Sequence, residues 1–255
     1  MTYHRDRFRR TELLLGKKVM EILADCSITV VGIGAVGSHV VEALARSGVG
    51  RLRLVDFDEI DLSNVNRQLF AGESTLGMLK IDAAERHLLD INPDITIEKF
   101  NCLCHIENFE AVLAGQTDLV VDAIDSLNPK VNLLYELVRR KMDVVSSMGA
   151  ARRVTPGEIT TGDISETRGC PLAKSVRKRL RRMGIEAGIT CVYSTEAVDK
   201  SSVLDTTEEN YFDSGRQRNP MGSLAMISGI FGYTAAAEAL KKVLRGKGSD
   251  LCQKN

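Results

Sequence analysis

Residues Gly32-Ile33-Gly34-Ala35-Val36-Gly37 join a short apolar run to a helical pattern. In that setting Gly32, Gly34, Ala35 and Gly37 bring backbone N–H groups against a phosphate, and the helix opened by Ser38 turns its positive end toward the anion. Asp56 closes the next apolar run, where a carboxylate accepts from ribose hydroxyls. So far the pattern fits any dinucleotide site. The next segment adds Ser63, Asn64, Asn66, Arg67 and Gln68, and then Lys80. A fixed guanidinium and an ammonium suit a triphosphate, whose charge builds up on the departing pyrophosphate; hydride transfer needs no such pair. Taken alone, each cation reads equally as a surface charge. Asp125-Ser126 end a fourth apolar run. The Asp125 carboxylate either caps the helix that Pro129 opens or holds Mg²⁺ against phosphate oxygens. Asp122 points to the opposite face of that strand or flanks the same site. The set predicts ATP·Mg²⁺ consumed in acyl activation.

These groups need a scaffold, and the apolar periodicity supplies one. A helix is predicted over residues 5–24, with Leu13, Leu14, Val19, Ile22 and Leu23 on its apolar face. Strands follow at 27–31, 51–56, 95–100, 118–124 and 143–147, separated by helices at 38–47, 75–90, 107–114 and 129–141. Such alternation implies an α/β, Rossmann-like doubly wound, mainly parallel sheet, with the ligand crevice at the carboxyl ends of its strands. Beyond Gly149 the pattern becomes a C-terminal extension: strands at 158–162 and 189–193, a basic helix over 171–183, and an aperiodic polar loop over 195–219 predicted to be mobile.

With 255 residues, 44% of them hydrophobic and 27% charged, the chain can bury a full core. Its 34 basic and 34 acidic residues cancel, so any attraction for nucleic acid must come from a local patch. The six cysteines show no Cys-x-x-Cys pair, and the start is charged from His4 to Arg10 without an apolar run. Both point to a reduced, cytoplasmic setting and away from structural zinc, since only Cys102, Cys104 and His105 cluster. Residues 220–240 lack charge until Glu238, near the length of a membrane span. Their serines, glycines and Tyr233 fit a buried helix covering a sheet face better, with peripheral membrane contact left open.

Read in order, Gly-x-Gly-x-x-Gly, Asp56-Phe-Asp-x-x-x-x-Ser63-Asn64-x-x-Arg67-Gln68, Gly77-x-x-Lys80 and Asp122-x-x-Asp125 resemble the adenylating superfamily of ubiquitin-activating enzymes over about residues 7–150. The resemblance implies a single adenylation domain: an N-terminal helix (5–24), an ATP-binding core (25–150) and a substrate-facing extension (151–255). It further implies that Asp56 binds ribose, that Ser63, Asn64, Arg67 and Lys80 bind phosphates, and that Asp125 coordinates Mg²⁺. Arg10, in Arg7-Phe-Arg-Arg10, matches the arginine that such homodimers reach across into the partner's ATP site. Spacing alone would make Arg10 an ordinary exposed charge. In the second half, Cys170-Pro-Leu-Ala-Lys174, Cys191-Val-Tyr-Ser-Thr-Glu196 and the glycine-bearing last helix look like the branch that dehydrates threonylcarbamoyladenosine in tRNA. The run Ser147-Met-Gly-Ala-Ala151 departs from it in carrying fewer glycines.

A tRNA partner also has support from the residues themselves. Six of the thirteen residues from Pro171 to Met183 are basic. Lys174, Arg177, Lys178 and Arg181 share one helix face, opposite Leu172, Val176, Leu180 and Met183. That stripe reads as a phosphate-binding surface, joined by Arg152 and Arg153 if they lie nearby, or as a solvated or membrane-surface face. Cys191 is either an acyl-accepting nucleophile or a core residue; no histidine adjoins it in sequence. The alternative enzymatic reading is an adenylyltransferase for the C-terminus of a ubiquitin-like sulfur carrier, and a non-catalytic nucleotide-binding scaffold is the third.

Overall fold

Seven strands, β1 (Ser27–Val31), β2 (Arg51–Val55), β3 (Thr96–Phe100), β4 (Leu119–Asp122), β5 (Val144–Ser147), β6 (Ile159–Asp163) and β7 (Thr190–Ser194), form one sheet in the order β3-β2-β1-β4-β5-β7-β6. The computed structural model describes residues 6–198, 211–213, 216–218 and 221–251. Every pairing is parallel except β6 with β7. β1, β4 and β5 are buried throughout, which their Ile- and Val-rich runs require of interior parallel strands. The edge strand β3 carries Glu98 and Lys99 outward, guarding the open edge.

Among the described residues there are eight α-helices, of which all but the first bury side chains against the sheet or its neighbours: α1 (Arg9–Leu15), α2 (Lys17–Ala24), α3 (Gly37–Arg46), α4 (Lys80–Ile91), α5 (Phe109–Val112), α6 (Leu127–Arg139), α7 (Pro171–Arg182) and α8 (Ala225–Gly246). α2, α3, α4 and α8 share one core with β1 and β2, while α5, α6 and α7 close the other. A Cβ at Gly232 of α8 would lie 2.5 Å from His39 Cβ of α3. The missing side chain therefore sets how closely those two helices cross. Among the described residues no helix is long and apolar enough to cross a membrane. α8 packs on β4, β5 and β7; Lys242 within it meets Asp143 and Lys247 just past its end meets Asp118, each at 3.0 Å.

Several expected boundaries move. The N-terminal helix breaks at Gly16, and Leu13 and Leu14 stand 74% and 80% exposed instead of facing the core with Val19 and Leu23. The helix expected from residue 75 begins at Lys80, because 73–79 turn back on the chain: Ile60 N donates to Met78 O and Lys80 N to Asp58 O. The fourth strand ends at Asp122, three residues before Asp125. Met183 is exposed past the end of α7. Within the segment expected to be an irregular loop, β8 (Tyr211–Asp213) pairs antiparallel with β9 (Arg216–Arg218). The expected mobility of 199–210 lies outside the described residues, as does Cys252.

Candidate active site at the carboxyl ends of the strands

The order of the strands reverses between β1 and β4, opening a crevice past their carboxyl ends. Gly32 leaves β1 with φ of 89°, and a Cβ at Gly37 would stand 1.7 Å from Gly32 O, so the turn folds only without side chains at these two positions. At Gly34 the nearest atom to such a Cβ, Gln68 Nε2, is 3.8 Å away. The glycine there leaves space instead of relieving a clash, as a turn receiving a ligand would need. α3 starts here, and Ser38, fully buried, accepts from Leu69 N at 3.2 Å, pinning the 61–70 loop across the crevice.

Asp56 stands just past β2. Its Oδ2 accepts from Ile33 N at 2.6 Å and its Oδ1 from Asp58 N at 2.9 Å, so the carboxylate orients the glycine turn as well as facing the crevice. Burial pushes its pKa up, opposed by the nearby Lys80 ammonium and these two N–H groups. Lys80, 7% exposed, opens α4 and pairs with Asp58 Oδ2 at 2.5 Å. Arg67 Nη1 donates to Ser63 O at 2.7 Å and to Asn66 Oδ1 at 3.0 Å, which holds the guanidinium in the loop. Asn64 spends its Oδ1 on Asp61 N in a capping box, leaving Ser63 exposed. Hydrogen bonds thus tie the glycine turn to Asp56, Asp56 through Asp58 to Lys80, and the start of α3 to the loop that carries Ser63, Asn64 and Arg67.

Asp125 and Ser126 lie on the turn beyond β4, with Ser126 Oγ donating to Asp125 Oδ1 at 3.2 Å. Ser126 is the residue before α6, and no side chain caps that helix. What positions the turn is Asp122, buried at the end of β4. It accepts from Lys130 Nζ and Ser146 Oγ, both at 2.6 Å, and from Ile124 N at 3.1 Å. The row Val31, Asp122, Ser146, Cys191 created by the parallel register brings Ser146 alongside. Sequence alone assigns Lys130 no role: Asp122 ends a strand and Lys130 lies in the helix after the turn, so no spacing rule joins them, and only the fold shows both groups fully buried. Cys191 is also fully buried, and burial pushes its thiol far up, as befits a core residue.

The basic set divides. Lys174, Lys178 and Arg181 are exposed along α7. Arg177 instead donates to Thr167 O at 2.7 Å and holds the turn before the helix, so it is not a free phosphate ligand. Arg153 is a correction too: it is 1% exposed, with Nη2 donating to Gly169 O at 2.9 Å, because the chain dives under the 167–170 turn. Arg152 is half-buried, with φ of 62° and its N–H on Gly222 O at 2.8 Å. Arg10 is exposed on α1. Among the described residues no three His, Cys, Asp or Glu side chains gather as a metal cluster.

The model of the ThiF family matches residues 8–254. The chain is 36% identical over 241 residues to the tRNA threonylcarbamoyladenosine dehydratase of Bacillus subtilis (strain 168), covering 94% of this chain and 95% of the relative. It superposes with a TM-score of 0.86 and 32% identity on the crystal structure of the Escherichia coli tRNA N6-threonylcarbamoyladenosine dehydratase in complex with ATP, over 96% of each chain. A more distant relative, the molybdopterin-synthase adenylyltransferase of Escherichia coli (strain K12), is 30% identical over 95% of this chain and 83% of its own.

Proposed function

The chain belongs to the ThiF family, and from that premise we propose that it is an ATP-dependent tRNA threonylcarbamoyladenosine dehydratase. What carries the reading is the likeness to such dehydratases through both halves of the chain, crevice and extension alike.

In this reaction a carboxylate oxygen of the threonylcarbamoyl group attacks the α-phosphorus of ATP, and the bond to pyrophosphate breaks. The ureido nitrogen or oxygen of the same group then attacks the activated carbonyl, closing a ring as AMP leaves with the carboxyl oxygen and a proton passes to solvent. The net change in the nucleoside is loss of one water. The second step is intramolecular, so orientation supplies much of its rate and no side chain need act as general base.

The turn at Gly32, Gly34, Ala35 and Gly37 and the start of α3 bind phosphates, and Asp56 accepts from ribose. Ser63, Asn64, Arg67 and Lys80 stabilise the departing pyrophosphate, with Lys80 passing from Asp58 to the nucleotide. Asp125, an exposed carboxylate on the turn beyond β4 that accepts from Ser126 Oγ, would hold Mg²⁺ as an oxygen ligand. Mg²⁺, when bound, neutralises charge on the phosphate oxygens. In a homodimer, Arg10 of the partner subunit adds a cation from across the interface. Lys174, Lys178 and Arg181 bind the tRNA backbone, with Arg152 at the margin. A tRNA substrate sets the working compartment as the cytoplasm.

The test is mass spectrometry of nucleosides from tRNA incubated with the protein and ATP. Loss of one water from the hypermodified adenosine, with stoichiometric AMP, is the expected result. AMP release with a ubiquitin-like carrier protein and none with tRNA would transfer the reading to the adenylyltransferase branch, which the molybdopterin relative represents.

A further inference from the structure

Arg153 is the largest fully buried side chain in the described structure, and it is incompletely satisfied. Its Nη2 reaches Gly169 O, while Nε and Nη1 are buried without a hydrogen-bond partner. A buried cation with unanswered donors is costly, and such groups persist where a ligand completes them. The preceding residue, Arg152, is held left-handed at φ 62°, a conformation that disfavours any side chain beyond glycine and clusters at functional sites. Two independent departures from relaxed structure therefore sit side by side.

Their place in the fold suggests the ligand. Arg152 N donates to Gly222 O, and the adjacent Ser223 O accepts from Asn66 Nδ2 at 3.5 Å, so this turn adjoins the loop that carries Arg67. On its other side, Gly169 leads directly into Cys170 and the start of α7. Arg153 thus lies between the proposed phosphate loop and the proposed tRNA-binding helix. Two other cations nearby that are not exposed are already engaged: Lys130 by Asp122 and Arg177 by Thr167. Glu196, the nearby carboxylate, accepts from Val154 N and Thr155 N. Against burial, these donors and, after them, the Arg153 charge hold its pKa down. No hydrogen bond or contact within 4 Å joins the two charged groups, so Nε and Nη1 stay unpaired.

We infer that the Arg153 guanidinium, through Nε and Nη1, anchors the free carboxylate of the threonylcarbamoyl group as it enters beside ATP. The inference rests on the dehydratase reading. Depth selects a carboxylate over a backbone phosphate, since a polynucleotide backbone rides on a surface whereas the slender arm of a modified base can enter. Charge supports the same choice. A carboxylate approaching a triphosphate is repelled, and a buried cation where the arm ends offsets that repulsion. Because this contact is made in the ground state, its loss falls on KM more than on kcat.

The experiment compares wild type, Arg153→Gln and Arg153→Lys in the full chain, with melting temperature checked for each. Binding is measured to tRNA carrying threonylcarbamoyladenosine and to the same tRNA without it, and AMP release gives KM and kcat. Arg153→Gln should raise KM for the modified tRNA about tenfold or more while changing kcat by less than about threefold. Its binding of unmodified tRNA should match wild type, and Arg153→Lys should recover part of the loss. An unchanged KM, or an equal loss with unmodified tRNA, overturns the assignment, the latter marking a backbone-phosphate contact. Should Arg153→Gln not fold, wild type alone decides: threonylcarbamoyladenosine should bind more tightly than its methyl ester, and equal binding of acid and ester overturns the inference. Absence of AMP release by wild type with modified tRNA would instead remove the parent reading.

Discussion

On the β1–β2 side of the crevice, charged groups answer one another within the fold: Asp56 holds two backbone N–H groups and Lys80 holds Asp58. Toward β4 and β5, Asp122 and Lys130 are just as fully paired, but in the segment after β5 Arg153 keeps two nitrogens unpaired beside a left-handed Arg152. On the proposed assignment, the nucleotide half is preformed, while the acceptor half is completed by its ligand. A site that meets the same cofactor every cycle gains from rigid donors, whereas one that admits a single side arm of a large RNA gains from a contact only the right arm can complete.

Perturbing the Asp122–Lys130 pair should break this contrast most severely. Lys130→Met leaves Asp122 buried without its counter-charge, and loss of about 3–5 kcal/mol of stability is expected in denaturant titration. A loss below about 1 kcal/mol would mean the pair contributes little to positioning the Asp125 turn. Lys80→Ala acts on the nucleotide side, where Asp58 is partly exposed and can remain hydrated. There the fold should survive while AMP formation drops by about 10²–10³ and tRNA affinity stays near wild type. Unchanged turnover would remove Lys80 from the mechanism.

The basic helix offers a finer division. Lys178→Ala should lower the slope of log affinity for tRNA against log salt by about 0.7–0.9, the loss of one phosphate contact. Arg177→Ala should leave that slope alone and lower the melting temperature, since its donors hold Thr167. The reverse pattern would exchange their roles. The smallest effect is expected far from the crevice, at Glu136. Hydrogen bonding from Arg139, aided by Arg140, holds its pKa down at about 2 from 4.5. A depressed carboxylate stabilises the fold above the unfolded value and loses that contribution as pH falls through about 2. Glu136→Gln should therefore flatten the acid limb of stability between about 4.5 and 2 and cost at most about 1 kcal/mol at neutral pH, because Arg139 is exposed. An unaltered acid limb would show the network to be energetically silent.

Much of the nucleotide half was legible because its signals are local. A glycine whose Cβ would strike a carbonyl, and a carboxylate at the end of an apolar run, announce themselves over a few residues. The acceptor half depends on what distant segments bring together. Ser146 meets Asp122 only through the β4–β5 register, and nothing in the sequence marks that alignment. Arg152-Arg153 reads as a surface dipeptide, yet the 167–170 turn folds over it. Likewise, Leu13 and Leu14 satisfy an apolar period, but periodicity does not reveal that the chain breaks at Gly16 and leaves α1 without the core beneath it. α4 starts later than its apolar pattern implies for a related reason: Ile60 and Asp58 capture the backbone of 78–80 in a reversal that competes with helix.

α8 supplies Ile227, Phe231, Ala235, Ala239, Leu240 and Leu244 to the core that β1 and β2 also share. During synthesis, the ATP-side strands emerge long before the helix that shields the middle of their sheet. A ribosome pausing at residue 220 would hold a chain with all seven strands of the main sheet translated and the β4–β5–β7 part of one face still bare, a species that invites chaperone capture or self-association until residues 225–246 arrive.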